Sequence, residues 1–344
     1  MSDFAEMTEA EQIALLEEFA QDVLMQYGMI GSEFECVNHT YNTTFKFKGG
    51  DNKKYALRIG TRERKWPEHT WAEVQWLLEL KRVGSIFAPV PIANLQGEPF
   101  SNHYFFYQGG NLDVVIHPWL EGEELSSDPS DEQLFELGRA MATMHLLGKN
   151  WKPKGYANFL PIDKPLMVKQ DNLFTYELEE ISPTQYELFR KVNERTEKFY
   201  ESLRQRTEPQ LIHADLQFEN IRWLHNKILT MDFDYAGIGF PLQDLAMSTY
   251  YLRKGRERER HLFQGYASVT PLPEFDPAEL ELLIASRELV LLNRFLGIAT
   301  ADDIVKLPNY LETIEQHLQY FLKTGEFTLE NVGSEGFEPP TSSV

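Results

Sequence analysis

Apolar side chains recur with helical spacing over residues 9–27, where Ile13, Leu16, Phe19, Ala20, Val23 and Leu24 form one stripe of EAEQIALLEEFAQDVLMQY. The period then shortens. FECVNHTYNTTFKFKGGDNKKYALRI predicts three strands, at 34–37, 43–48 and 55–59, with the turn GGDN between the last two. A helix is expected over 70–82 (TWAEVQWLLELKR), stopped by Gly84. Pro89 and Pro91 open an extended stretch, and two further strands are expected at 103–108 and 113–119. One helix set into an antiparallel sheet makes an α+β lobe.

Beyond Gly122 the pattern turns helical. Leu134, Leu137, Ala140, Met141 and Met144 mark a helix over 134–147, and helical periodicity with many charges runs through 166–206. A strand–turn–strand hairpin is expected at 220–232, followed by mainly helical chain to about residue 323. The domain reading is therefore an N-terminal helix (1–28), an N-lobe (29–120), a helical C-lobe (121–328) and a tail (329–344). The tail's VGSEGFEPPTSSV has little apolar content and two prolines, so it is expected to be disordered.

Composition narrows the function classes. At 344 residues and 42% hydrophobic, the chain can bury a substantial core. Its single cysteine, Cys36, rules out an internal disulfide framework. The acidic start MSDFAEMTEAEQ and the lack of a membrane-length apolar run predict a cytoplasmic protein without a membrane partner. With 33 basic and 53 acidic residues the net charge is −20, which repels nucleic-acid backbones and favours cationic small molecules. The basic run RKGRERERH (253–261) alternates with glutamates as a solvated helix face does, and the aromatics at 104–107 read as strand core. No histidines have the H-E-x-x-H metal spacing.

The densest chemistry lies in LIHADLQFENIRWLHNKILTMDFDYAGIGFPLQDLA, residues 211–246. Carboxylates in so apolar a stretch need a positive partner. His213, Asp215 and Asn220 stand at H-x-D-x-x-x-x-N, and Asp232 follows across the short hairpin. This is the spacing of a kinase catalytic loop, in which the Asp accepts the proton of the acceptor hydroxyl and the Asn holds magnesium. Mg²⁺ takes oxygen ligands, and one or two protein groups beside phosphates and water suffice. Asn220 would supply an amide oxygen and Asp232 a carboxylate, so the implied positive partner is Mg²⁺ with ATP.

HADLQFEN together with MDFDYAGIGFPLQDLA resembles the aminoglycoside phosphotransferase/choline kinase family over residues 25–325. YALRI, AEVQWLLEL, VIHPWLEG and GYASVTPLPEF place it nearest the bacterial branch with homoserine-kinase-like and stress-kinase-like proteins. The resemblance implies a two-lobed, protein-kinase-like α+β fold and ATP- and Mg²⁺-dependent phosphorylation of a small-molecule hydroxyl. It implies Asp215 as catalytic base and Asn220 and Asp232 as magnesium ligands. Arg58 takes the place of the phosphate-binding lysine, with Glu73, or alternatively Glu79, as its helix partner. Pro118 would offer adenine a carbonyl and Leu120 an N–H, since a proline at the first position loses only an N–H that is not needed. His213 and Asp244 would be structural, holding the catalytic loop.

Three departures bear on the site. VNHTYNTT replaces a glycine-rich loop, leaving backbone and the side chains of Asn42, Thr43 and Thr44 to meet phosphates. Glu219 adds a carboxylate beside Asn220. D-F-D replaces D-F-G, so Asp234 could contact metal or acceptor. Two carboxylates there favour an amine-bearing acceptor, such as an antibiotic, an amino alcohol or a homoserine-like metabolite. A stress-response Ser/Thr protein kinase and a non-catalytic nucleotide-binding scaffold are the rival readings. The first lacks a recognisable activation segment between DFD and QDLA, and the second has no reason to keep Asp215, Asn220 and Asp232.

Overall fold

Thr8 starts the first helix by accepting the N–H of Glu11, whose carboxylate reaches back to the N–H of Thr8 at 2.9 Å. The helix, α1 (Glu9–Leu24), buries Leu16, Ala20, Val23 and Leu24 against a five-stranded antiparallel sheet. In this computed structural model the described residues are Phe4, 7–40, 42–61, 67–167, 171–175, 178–298 and 301–330. The tail expected to be disordered lies almost wholly outside them.

The sheet contains β1 (Gly31–His39), β2 (Asn42–Gly49), β3 (Lys54–Gly60), β4 (Ser101–Phe105) and β5 (Gly110–Pro118), in the order β1-β2-β3-β5-β4. Strand alternation gives it two distinct faces. Phe45, Phe47, Leu57, Ile59, Val114 and Ile116 form a core with α1. Asn42, Thr44, Ala56, Arg58 and His117 face the other way, into a cleft. Helix α2 (Pro67–Val83) follows β3 and starts three residues before its expected position, with proline in its first turn, where the missing N–H costs nothing.

The expected strand at 103–108 ends at Phe105. Residues 106–108 form one turn of 3₁₀ helix closed by Gly109 at φ 60°. The aromatic cluster is therefore not all core: Phe105 is buried, but Tyr104 is 63% and Phe106 60% exposed.

The second lobe is built on α3 (Asp131–Gly148), α4 (Pro183–Arg206), α5 (Pro241–Tyr250), α6 (Glu259–Ala267), α7 (Pro277–Ile298) and α8 (Ala301–Thr324). Short strands lie among them: β6 (Glu123–Glu124), β7 (Gln210–Ile212), the hairpin β8 (Ile221–Leu224) and β9 (Lys227–Thr230), and β10 (Gly237–Gly239), which pairs with β7. Helices α3 and α6 meet backbone to backbone. A Cβ on Gly138 would lie 2.0 Å from the Leu262 carbonyl oxygen, and one on Gly265 1.9 Å from that of Phe135.

Two expectations change here. Among the described residues, helical periodicity over 166–206 yields a helix only from Pro183, where Ser182 and Gln185 form a capping box. The loop before it is tied to α7, with Asn293 Oδ1 accepting the N–H groups of Asn172 and Leu173. The basic run is not simply a solvated face. Arg253 is 1% exposed and pairs with Glu281 and Glu259, because the chain turns inward after α5 and acids from α6 and α7 receive it. Among the described residues no helix is long and apolar enough to cross a membrane.

Candidate active site

The catalytic loop leaves β7 at His213 and is pinned from below by Asp244 in the first turn of α5. Asp244 Oδ2 accepts the N–H of His213 at 3.0 Å, and Oδ1 accepts that of Ala214 at 2.6 Å. These bonds hold Ala214 at φ 63°, a left-handed conformation unfavourable for a residue with a Cβ. His213 donates from Nε2 to the Met231 carbonyl at 3.0 Å, joining the loop to the far side of the hairpin. Burial lowers the pKa of this imidazole, which keeps it neutral. Both residues thus hold backbone.

His145 of α3 extends this brace. Its Nε2 donates to Asp244 Oδ2 at 2.9 Å, and its Nδ1 accepts the Tyr266 hydroxyl at 2.9 Å. The sequence reading missed His145.

Asp215 is completely buried. Its Oδ2 accepts from Asn220 Nδ2 at 3.1 Å, and the same amide nitrogen donates to the Asp215 carbonyl at 3.0 Å. With the NH₂ end committed, Asn220 Oδ1 is a buried acceptor that has no hydrogen-bond partner among the described residues. An oriented, unpaired amide oxygen is what a hard cation takes. Asp232, at φ 53° after β9, lines the adjoining cleft. Among the described residues no three His, Cys, Asp or Glu side chains converge as a metal cage. Two oxygen donors suit Mg²⁺, which completes its shell with phosphates and water.

The other oxygen of Asp215 carries two cations. Arg287 Nη2 and Arg294 Nη1, both from α7, each donate to Oδ1 at 2.9 Å. Burial raises the Asp215 carboxyl pKa, and the charges of Arg294 and Arg287 outweigh that, leaving it below its ordinary range.

Across the cleft, Arg58 meets Glu73 of α2 with both guanidinium ends, and Glu79 instead pairs with Arg82 on the helix surface. Arg58 also contacts Asp234, whose second oxygen takes the amide of Asn42. Burial works against the Arg58 charge, and Asp234 and Glu73 more than offset it, so the guanidinium stays protonated. Metal or acceptor was one possible partner for Asp234. The left-handed turn at Asp232 instead carries it back against β2 and β3, where its side chain is 5% exposed.

Pro118, Leu120, Asn42 and Thr44 line a cavity of about 50 Å³ together with Ala56, His117 and Met231. Thr43 does not. Strand alternation turns it to the opposite face, where its hydroxyl meets His39 Nδ1 at 2.8 Å and the Thr61 hydroxyl at 3.2 Å. Glu219 lies beside Asn220, half-buried. Arg287 and Arg294 were also missed in the sequence. Their one signal is a pair of arginines seven residues apart, two turns on one face, flanking the apolar stretch LVLL in SRELVLLNR.

Residues 37–283 match the family described as "Phosphotransferase enzyme family". Over 257 residues the chain is 28% identical to the amicoumacin kinase of Bacillus subtilis (strain 168), covering 68% of this chain and 70% of that one. Its fold is similar to that of a microcompartment-associated aminopropanol kinase, with TM-score 0.73, 20% identity and coverage of 91% and 99% of the two chains. It is also similar to an amicoumacin kinase solved with AMP-PNP, Ca²⁺ and Ami, with TM-score 0.68, 17% identity and coverage of 90% and 96%. These likenesses carry the two-lobed, protein-kinase-like α+β architecture. The family match spans most of the sequence and contains the whole catalytic loop, and the chain belongs to this family of phosphotransferases.

Proposed function

We propose that this kinase, with ATP as donor and Mg²⁺ as its metal ion, phosphorylates a hydroxyl group of a small amine-bearing molecule. The observation that carries the reading is Asn220, its NH₂ end fixed on buried Asp215 and its Oδ1 left bare. Asn220 and Asp232 would hold the magnesium, which offsets phosphate charge as the phosphoryl group departs. Arg58 would meet phosphate oxygens with Asn42 and Thr44 alongside, and Pro118 and Leu120 would present backbone groups to adenine.

Asp215 would orient the acceptor hydroxyl. Its oxygen forms the new bond to the γ-phosphorus, the bond to the bridging oxygen breaks with its electron pair leaving on ADP, and the proton passes to Asp215. With its pKa held low, this carboxylate is a weak base, so positioning is its larger contribution.

The amine rests on the kinship with an amicoumacin kinase, on the likeness to an aminopropanol kinase, on the net charge of −20 and on Glu219 beside the metal-binding Asn220. A protein kinase is less well supported. Between Asp232 and Pro241 the chain forms one 3₁₀ turn and the three-residue strand β10. The test is ADP release against amino alcohols, aminoglycosides and hydroxyl-bearing peptides, for wild type and Asp215→Asn. The variant should lose roughly 10²–10⁴-fold in kcat while binding ATP normally. Near-normal turnover would remove Asp215 from the mechanism, and a preference for peptides would overturn the small-molecule reading.

A further inference from the structure

Two guanidiniums converge on one carboxylate oxygen in the interior. Arg287 is 2% exposed, and its Nε and Nη1 are buried with no hydrogen-bond partner among the described residues. Its remaining nitrogen, Nη2, donates to Asp215 Oδ1 at 2.9 Å and lies 3.4 Å from the Tyr251 hydroxyl. Arg294 donates to that same Oδ1 at 2.9 Å, and its guanidinium lies over the Tyr235 ring, 3.5 Å from the centroid. One counter-ion would suffice to neutralise Asp215. Arg287 moreover keeps two buried N–H groups that Asp215 does not use, and a buried guanidinium with unspent donors favours a further anion.

The arginines also flank the path of the acceptor. The hydroxyl has to approach Asp215, whose Oδ2 is held by Asn220 and whose Oδ1 is held by the arginines. Of the two arginine side chains Arg294 is the more accessible, 10% against 2%, which makes it the one able to swing aside. A buried guanidinium leaves a carboxylate readily only for another oxyanion, and its planar fork fits a carboxylate in a bidentate manner.

We infer that Arg287 and Arg294 form an oxyanion subsite beside Asp215, filled in the working complex by a carboxylate of the acceptor. This deepens the small-molecule kinase reading and rests on it: the acceptor is then a hydroxylated amino acid or a molecule with such an end, its ammonium toward Glu219 and its carboxylate toward α7. The transferred phosphoryl group is the other oxyanion that could reach these arginines. The two sources predict different kinetics. An acceptor carboxylate makes the arginines matter through acceptor KM, and only for acceptors that carry it. A phosphoryl role makes them matter through kcat for every acceptor alike.

The experiment uses the full chain with ATP and Mg²⁺ and two acceptor pairs that differ by one carboxylate, serine with ethanolamine and homoserine with 3-aminopropan-1-ol. ADP release is measured for wild type, Arg294→Gln and Arg294→Lys, and thermal protection by Mg²⁺–ATP is read on the same samples to verify folding and donor binding. Wild type should favour the acid in at least one pair by about tenfold or more in kcat/KM. Arg294→Gln should raise KM for that acid until the two members are equivalent, and Arg294→Lys should restore part of the preference. Three results would overturn the subsite while leaving the kinase reading intact: amino alcohols used as well as the acids, an equal kcat loss on both members, or neither member used although Mg²⁺–ATP still protects. Failure of Mg²⁺–ATP to protect wild type would sink the kinase reading and the subsite together.

Discussion

Arg58 and Glu73 meet through two parallel hydrogen bonds, Nη1 to Oε1 at 2.9 Å and Nη2 to Oε2 at 2.8 Å, with Asp234 as a third partner of the same guanidinium. This pairing joins β3, α2 and the turn after Asp232 at the base of the cleft. Removing the cation leaves two buried carboxylates uncompensated, a change that typically costs about 3–5 kcal/mol. Arg58→Ala should therefore lower the melting temperature by several degrees and raise KM for ATP. Arg58→Lys should recover part of both, because charge returns without the planar fork. Thermal melts and ATP titrations on the two variants check this, and an Arg58→Ala protein with wild-type KM would mean that another cation meets the phosphates.

Asn220 and Asp232 answer a different assay. Each would contribute one oxygen to the metal, so Asn220→Ala and Asp232→Ala should each shift the Mg²⁺ dependence of ATP protection upward by about tenfold or more. Asn220→Ala should do further damage at fixed, saturating Mg²⁺, since the lost amide also secures Asp215 through its carbonyl and Oδ2. Unchanged Mg²⁺ titrations in both variants would show that the ligands lie elsewhere.

What was legible in the sequence is what neighbouring residues decide among themselves. His213, Asp215 and Asn220 share one loop, so their spacing carries their geometry, and the hairpin that returns to Asp232 is equally local. Thr43 and Thr44 were separable in principle, since adjacent strand residues face opposite ways, and only Thr44 reaches the cleft. Asp234 was not, because the left-handed turn at Asp232 decides its direction. Arg287 and Arg294 reach Asp215 across 72 and 79 residues, through the packing of α7 against the catalytic loop. No motif spans such a separation. Arg253 shows the same limit from the other side: its run alternates charge as a surface does, yet Glu259 and Glu281 draw it inside.

His117 gives a pH dependence of definite sign. Burial, with Arg58 nearby, pushes its imidazole down to about 4, against an ordinary value of 6.5. Above pH 6.5 it is neutral in both folded and unfolded chains and affects neither. As pH falls from 6.5 toward 4 the unfolded chain takes up a proton that the folded chain refuses, so stability declines by about 3 kcal/mol in that window. Urea melts at pH 7 and pH 5 should show a larger loss for wild type than for His117→Gln, which cannot titrate. Parallel losses in the two proteins would mean that His117 is not the residue responsible.

The brace beneath the catalytic loop separates positioning from plain stability. His145 donates to Asp244, and Asp244 holds the N–H groups of His213 and Ala214, immediately before Asp215. The strained φ of Ala214 persists because Asp244 keeps both oxygens aimed at the loop. His145→Ala deletes one of the three donors to Asp244 and strips the Tyr266 hydroxyl of its acceptor, so a stability loss of about 1–3 kcal/mol is expected. A purely structural residue would do no more than this. If His145 positions the loop, the folded variant should also lose about tenfold in kcat well below its melting temperature, with KM for ATP unchanged, because Arg58 and the adenine side of the cleft do not depend on it. Amide exchange at Ala214 and Asp215 should quicken in parallel, reporting the loosened loop directly. A His145→Ala protein that melts early but turns over normally, with unaltered exchange at those two amides, would reduce His145 to a packing residue of α3.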